Sequence, residues 1–126
     1  MASTDAGVVA MANLFAGTGS VNPFNATFAR IGVGDGTTAY ASTQTDLVGT
    51  NKFRKIVDSA PVVTANSVDY TSTFASTEAN FAWGEMGLFN AASGAYMATR
   101  RTVTTFATKT TADTWVITLT VVFTPN

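Results

Sequence analysis

The sequence contains no cysteine and no histidine in its 126 residues. The lack of cysteine excludes a disulfide framework, a thiolate nucleophile and any cysteine-based zinc or iron–sulfur site. The lack of histidine removes the commonest general base, the commonest zinc ligand and every nucleophile–histidine arrangement. The eight acidic residues are scattered singly, without a recognisable acid–base pair. The sequence therefore predicts a protein that is not an enzyme and that uses no cofactor and no catalytic metal.

Charge is also scarce, since 12% of the residues are charged and the net charge is −1. This balance gives no electrostatic footprint for nucleic acid or for an anionic membrane surface. The N-terminus lacks the basic start of a signal peptide, and no apolar run approaches the ~20 residues of a membrane span. We expect no nucleic-acid partner and no membrane partner. Weak self-repulsion permits copies of the chain to associate.

Threonine and alanine make up for the missing charge, and threonine is a β-branched residue that suits a pleated sheet. Short apolar stretches separated by Gly, Pro, Asn and Asp turns predict an all-β fold, either an antiparallel β-sandwich or a jelly-roll-like barrel. Residues 1–25 read as an N-terminal arm or a short helix plus a linker. Residues 26–126 read as a single β-sandwich domain, because a chain of this length can bury one core but not two.

Alternating apolar residues locate the strands. We expect the main ones at residues 26–33, 53–57, 67–74, 82–89, 96–104 and 115–123, with a short one at 62–64 and helical turns near 43–47 and 76–80. Alternation is clearest in the last strand, where one face is apolar and the other mixes threonine with valine. That second face is too apolar for free solvent, so we expect it to face another subunit or a sheet edge.

The N-terminal segment carries apolar residues near helical spacing. A helix capped by Ser3, Thr4 or Asp5 would stop before Gly17. The competing interpretation is an extended arm that lies across a neighbouring subunit. The apolar residues of this segment are the candidates for an intersubunit or capsid contact: Val8, Val9, Met11, Leu14 and Phe15.

One acidic residue, Glu85, lies inside the aromatic run of residues 81–89. A strand over this run places Trp83 and Glu85 on the same face. A half-buried carboxylate must be paired or hydrogen-bonded, so we expect Arg54, Arg100 or backbone N–H groups to reach it. The sequence therefore predicts a structural charge pair between Glu85 and one of these two arginines.

The glycine-rich segment at residues 32–36 has the glycine density of a phosphate-binding loop, but it lacks the Lys-Ser/Thr of such a loop and a following helix. We interpret Gly34, Asp35 and Gly36 as a tight turn with positive φ. Asp35 and Asp46 lack the alternating carboxylates of a calcium-binding loop, so no structural ion is predicted.

Three segments together resemble a known group of proteins: residues 31–38 followed by 45–48, residues 80–90 with the pattern W-x-E-x-G-L-F, and residues 108–110 before the last strand. Their order is similar to that in small bacteriophage virion proteins and in domains of phage tail-fibre proteins. The similarity covers residues 31–123. The resemblance implies a non-enzymatic part of a virus particle.

The resemblance leads to two functional hypotheses. The first is a capsid decoration or cement protein that is assembled in the bacterial cytoplasm and stabilises the head shell. Its partners would be the major capsid protein and copies of itself, as a homo-oligomer such as a trimer. The alternative is a tail-fibre, collar or receptor-binding component whose loops at residues 37–46 and 91–94 contact host surface glycan. We favour the first, because the sequence contains no coiled-coil repeat and no collagen-like stretch.

Overall fold

A computed structural model describes residues 2–103 and 107–124. The elements in chain order are β1 (Ala2–Ser3), α1 (Asp5–Ala16), β2 (Arg30–Gly34), β3 (Lys52–Ile56), β4 (Val62–Thr64), β5 (Ser67–Phe74), β6 (Glu85–Phe89), β7 (Met97–Thr102) and β8 (Trp115–Val122). They form two antiparallel sheets with the strand orders β1-β7-β6-β2-β3 and β4-β5-β8. The predicted β-sandwich is confirmed, and the N-terminal segment contains a helix.

The main core lies between the two sheets. β5 and β8 show the alternation expected of strands with one buried face, because Tyr70, Phe74, Leu119 and Val121 are buried and the residues between them are mostly more exposed. The five-stranded sheet contributes its own buried side chains to this core: Ile31, Val33, Met86 and Leu88. Burial of this apolar surface is the main favourable contribution to folding.

The N-terminal segment combines a short strand with a helix, and both lie against β7. Ala2 pairs with Arg100 in the β1–β7 ladder. Thr4 is the N-cap of α1, and its Oγ1 accepts a hydrogen bond from the Gly7 N–H at 2.9 Å. A Cβ at position 7 would lie 2.4 Å from the carbonyl oxygen of Ala98, so only glycine allows this close approach of helix and strand.

The first main strand starts later than predicted for a local reason. The first main strand begins at Arg30 rather than at residue 26, because the Asn25 side chain accepts hydrogen bonds from the N–H groups of Thr27 and Phe28 and holds a turn there. The strand predicted at 96–104 is observed as β7, and Thr104 lies outside the described residues. The predicted helical turn at 43–47 is wrong, since this part of the chain is irregular.

The strand predicted at residues 82–89 begins only at Glu85, which changes the direction of Trp83. The predicted common face for Trp83 and Glu85 is wrong. The Trp83 ring lies in the core between the sheets, packed edge-to-face against Phe74 at 5.0 Å and Trp115 at 4.8 Å between centroids. The Gly84 N–H donates to the carbonyl of Gly34, so this part of the chain bonds to the end of β2 and does not continue the alternation of β6.

Candidate functional site

Glu85 stands at the start of β6 and is fully buried. Its carboxylate accepts four hydrogen bonds. Oε2 receives the backbone N–H groups of Gly36 at 3.1 Å and Gly49 at 2.7 Å, and Oε1 receives the Val48 N–H at 2.9 Å and the Arg100 Nε at 2.9 Å. A buried carboxylate is tolerated when its oxygens are satisfied in this way. The charge is therefore part of the architecture of this end of the sheet.

Arg100 is the partner of Glu85, and both side chains have 0% exposure. Its Nη1 donates to the Gln44 Oε1 at 3.1 Å, and its Nη2 donates to the Thr38 carbonyl at 2.9 Å. Thr38 and Gln44 belong to the β2–β3 loop (residues 35–51), as do the three backbone donors to Glu85. One buried ion pair therefore holds an irregular loop against β6 and β7 at several points.

The glycines of the 32–36 segment serve this contact, and the predicted positive φ is wrong, since none of the described residues 32–36 has one. A Cβ at Gly34 would lie 2.5 Å from the Glu85 Oε2, and a Cβ at Gly36 would lie 2.4 Å from the same oxygen. Both distances are too short for a side chain. The glycines that resemble those of a phosphate-binding loop therefore leave space for the Glu85 carboxylate of the same chain.

Arg54 is not the partner of Glu85, which corrects one of the two predicted pairings. It lies on β3, and β2 separates that strand from β6. Its guanidinium pairs with Asp46 at 3.2 Å, donates to the carbonyls of Ala91 and Gly94 at 3.0 Å each, and lies 3.6 Å from the centroid of the Phe89 ring. Arg54 therefore joins the β2–β3 loop to the hairpin loop at residues 91–94.

The two aspartates considered as ion ligands have protein partners. Asp35 accepts from the Asn51 side chain at 2.8 Å, and this hydrogen bond lowers the pKa of the carboxyl. Partial burial acts to raise the pKa of Asp46, but hydrogen bonds from Lys52, the Leu47 N–H and Arg54 outweigh it and lower the pKa. Among the described residues, no group of three or more acidic side chains is placed to hold a metal ion.

A second polar cluster, which the sequence reading missed, surrounds Lys109. Lys109 is almost fully buried at 1% exposure, and its Nζ donates to the Ala75 carbonyl at 2.7 Å and the Asn80 Oδ1 at 2.9 Å. Lys55 and Glu78 form an ion pair beside it at 2.8 Å. A lysine between two threonines carries no local signal of burial, because most lysines are exposed.

The Lys55–Glu78 pair gives a pH-dependent contribution to stability. The hydrogen bond from Lys55 and the Ala75 N–H lower the pKa of Glu78 from its ordinary value of 4.5. The stabilisation is therefore complete above the unfolded-state pKa and is lost as the pH falls through the lower folded-state pKa. We expect the free energy of unfolding of Glu78→Gln, measured by urea titration from pH 7 to pH 3, to decrease less with falling pH than that of the parent chain. Lys55→Met removes the largest cause and should flatten the curve in the same sense. Parallel curves for all three proteins would contradict this.

The apolar residues of α1 divide into two groups. Gly7 and Ala10 are buried against the sheet, and Met11 and Leu14 are half-buried. The other members of the predicted contact set remain on the surface: Val8 with 55%, Val9 with 53% and Phe15 with 97% exposure. The helix packs on its own sheet through its small residues and presents large apolar side chains to the outside.

The protein is therefore an all-β sandwich with an N-terminal helix, and a buried ion pair holds its β2–β3 loop against the sheet. In the described part of the chain, no helix has the length and apolar character needed to cross a membrane. Comparison with protein-family models, with curated proteins and with solved structures gave no match.

Proposed function

We propose that the chain is a structural protein of a bacteriophage particle, a capsid decoration or cement protein that docks on the head shell and stabilises it. The sequence resemblance to small virion proteins supports this proposal. The structural observation that carries it is the exposed apolar side of α1, formed by Val8, Val9 and Phe15. Clustered apolar side chains on a surface mark contact sites more often than isolated ones do.

The way in which α1 is attached makes this surface suitable for docking. Thr4 caps the start of the helix and Gly17 ends it in a left-handed conformation, with φ of 69°. Gly7 and Ala10 pack on the sheet, so the exposed side chains are carried on a fixed support. A pre-organised surface loses little entropy on binding. Many copies on one shell then combine modest individual contacts into stable attachment.

The same proposal includes the partners and the location. The partners are the major capsid protein and further copies of this chain, and the chain is part of the virion. Neither nucleic acid nor membrane is a partner, consistent with the net charge of −1. A non-enzymatic role is consistent with the contacts of three carboxylates that could otherwise act as an acid or a base. Glu85, Asp46 and Glu78 are all engaged in ion pairs.

A specific observation favours the alternative of a tail-fibre, collar or receptor-binding component. Arg54 brings the β2–β3 loop and the 91–94 loop together beside β3, and a shallow depression of about 200 Å³ lies between them. Asp46, Lys52 and Ser93 are polar residues of its lining. Polar groups on neighbouring loops are typical of recognition surfaces, and host surface glycan is the ligand class for this alternative.

Copy number separates the two functions. We expect quantitative mass spectrometry of purified particles to give a ratio near one between this chain and the major capsid protein, or another high ratio set by the shell lattice. A ratio of a few per hundred would overturn the cement function and favour the tail or a single vertex.

Rebinding to particles tests the α1 surface itself. The triple variant Val8→Ser, Val9→Ser, Phe15→Ser should lose binding to capsids stripped of this chain, because it removes the apolar contact. The matched control is Val62→Ser with Val63→Ser, which changes valines on β4 that are at least as exposed as Val8 and Val9, and it should leave binding unchanged. Equal binding of both variants would contradict a contact through α1.

A further inference from the structure

The four edge strands of the described sheets differ in how well they are protected against pairing with another chain. β1 has two residues and β4 has three, and β3 carries Lys52, Arg54 and Lys55. Short length and charge are common devices that keep a sheet edge from pairing. β8 has neither, since it runs for eight residues without a charge. Of these four described edges, β8 is therefore the one least protected against pairing with another strand.

The register of β8 on β5 shows which of its main-chain groups face outward. The N–H of Phe123 donates to the Asn66 carbonyl at 2.8 Å, and an antiparallel ladder alternates from there. Ile117, Leu119 and Val121 therefore bond to β5. The residues between them direct their N–H and C=O groups to the free edge: Val116, Thr118, Thr120 and Val122. Within residues 2–103 and 107–124, these four make no main-chain hydrogen bond outside the β5–β8 ladder.

The sequence of this strand is nearly palindromic about Leu119. Thr118 and Thr120 flank the centre, Ile117 and Val121 follow, then Val116 and Val122, and finally the aromatic Trp115 and Phe123. A two-fold axis through an antiparallel strand pair places equivalent positions opposite each other. Each side chain would then meet one of its own class, and β-branched and threonine pairs across strands are favourable.

We propose that β8 pairs with β8 of a second copy of this chain, antiparallel about a two-fold axis at Leu119. Thr118 then exchanges hydrogen bonds with Thr120 of the second copy, and Val116 exchanges them with Val122. The residues that exchange hydrogen bonds in this register are the ones whose main-chain N–H and C=O groups point to the free edge. The register that the palindromic sequence favours is therefore also one that the main chain can form. A one-residue shift would break that agreement.

The surroundings of β8 are compatible with this pairing. α1 lies near the core-facing side of β8, where Met11, Val121 and Phe123 line a crevice of about 50 Å³. The side chains on the opposite face of β8 are exposed to solvent, with 62% exposure for Val116 and 54% for Val122. The two three-stranded sheets would join into one sheet of six strands. Because a two-fold contact closes on itself, the product is a dimer and not the trimer expected from the sequence.

The inference concerns contact between copies of the chain and does not depend on the proposed function. Sedimentation equilibrium of the purified chain should give twice the mass of 13.1 kDa at high concentration. The variant Val116→Lys/Val122→Lys places like charges opposite each other and should weaken association by at least about tenfold. The variant Val116→Lys/Val122→Glu changes the same two positions but places opposite charges across the axis, so it should remain dimeric.

The two residues are about 20 Å apart along one strand, so charges introduced there cannot pair within one copy. The control Val8→Lys/Val9→Lys changes exposed valines of α1 and should leave the dimer intact. A monomeric or trimeric parent chain would overturn the proposal. So would equal masses for the two β8 variants, or a dimer that only the α1 variant disrupts.

Hydrogen exchange of the unmodified chain locates the contact without any substitution. The amides of Val116, Thr118, Thr120 and Val122 should exchange more slowly at high than at low concentration. The amide of Leu119, which bonds to β5, should change little, and it serves as the internal reference. Concentration-independent exchange at all four positions would overturn the pairing.

Discussion

Replacing Arg100 with methionine should lower the free energy of unfolding by about 3–5 kcal/mol, the cost of breaking one side of a buried ion pair. The methionine fills much of the arginine's volume but leaves the buried Glu85 carboxylate without its charged partner. The acceptors at Thr38 and Gln44 also lose their donor. We expect a marked decrease in the midpoint of chemical denaturation, with a smaller change in slope.

The neighbouring arginine provides a matched control. Arg101 lies on the same strand but is exposed, so Arg101→Met should change stability by no more than about 0.5 kcal/mol. Glu85→Gln should also be costly, because an amide nitrogen cannot accept the backbone N–H groups that meet the carboxylate. Equal stabilities for Arg100→Met and Arg101→Met, or unchanged melting of Glu85→Gln, would refute the structural role of the pair.

Replacing Trp83 with alanine should cost a similar amount, about 3–5 kcal/mol, as is typical when a large aromatic side chain is deleted from a core. Trp83 has 2% exposure and lies between the rings of Phe74 and Trp115. Its Nε1 donates to the Ala79 carbonyl at 3.0 Å. The substitution removes two edge-to-face contacts, a buried hydrogen bond and a large buried volume. Urea titration followed by circular dichroism measures the loss.

Trp115→Ala removes the same side chain at the edge of the same ring cluster. Because Trp115 is half-buried, we expect a clearly smaller loss of stability than for Trp83→Ala. The two variants each retain one tryptophan, so fluorescence of the remaining ring reports whether the cluster still excludes water. Equal costs at the two positions would contradict the central place of Trp83 in the core.

The fold was predictable where local pattern and tertiary environment agree. β5 and β8 alternate because each has one face on the core, and period two in a sequence records that directly. The direction of Trp83 was not predictable. It depends on the hydrogen bond between Gly84 and Gly34, which lie far apart in the sequence, and alternation counted along residues 82–89 contains no information about that contact.

The polar site was predictable in kind and not in detail. The apolar setting of Glu85 was enough to require a partner, since a lone buried carboxylate is too costly. The choice between Arg54 and Arg100 depends on the strand order, because β2 separates β3 from β6, whereas β7 lies directly beside it. The three backbone donors depend on the path of the β2–β3 loop, which has no regular structure and hence no periodic signal.

The anchoring of the β2–β3 loop to Glu85 has a consequence for how the folded chain resists proteases. Long irregular segments are usually cleaved first, because they open without disturbing the rest of the molecule. Here the loop cannot open fully unless the Gly36, Val48 and Gly49 amides leave a carboxylate that is buried beneath them. Its opening is therefore coupled to exposure of a buried ion pair, and cleavage within it should be nearly as rare as unfolding of the whole sheet.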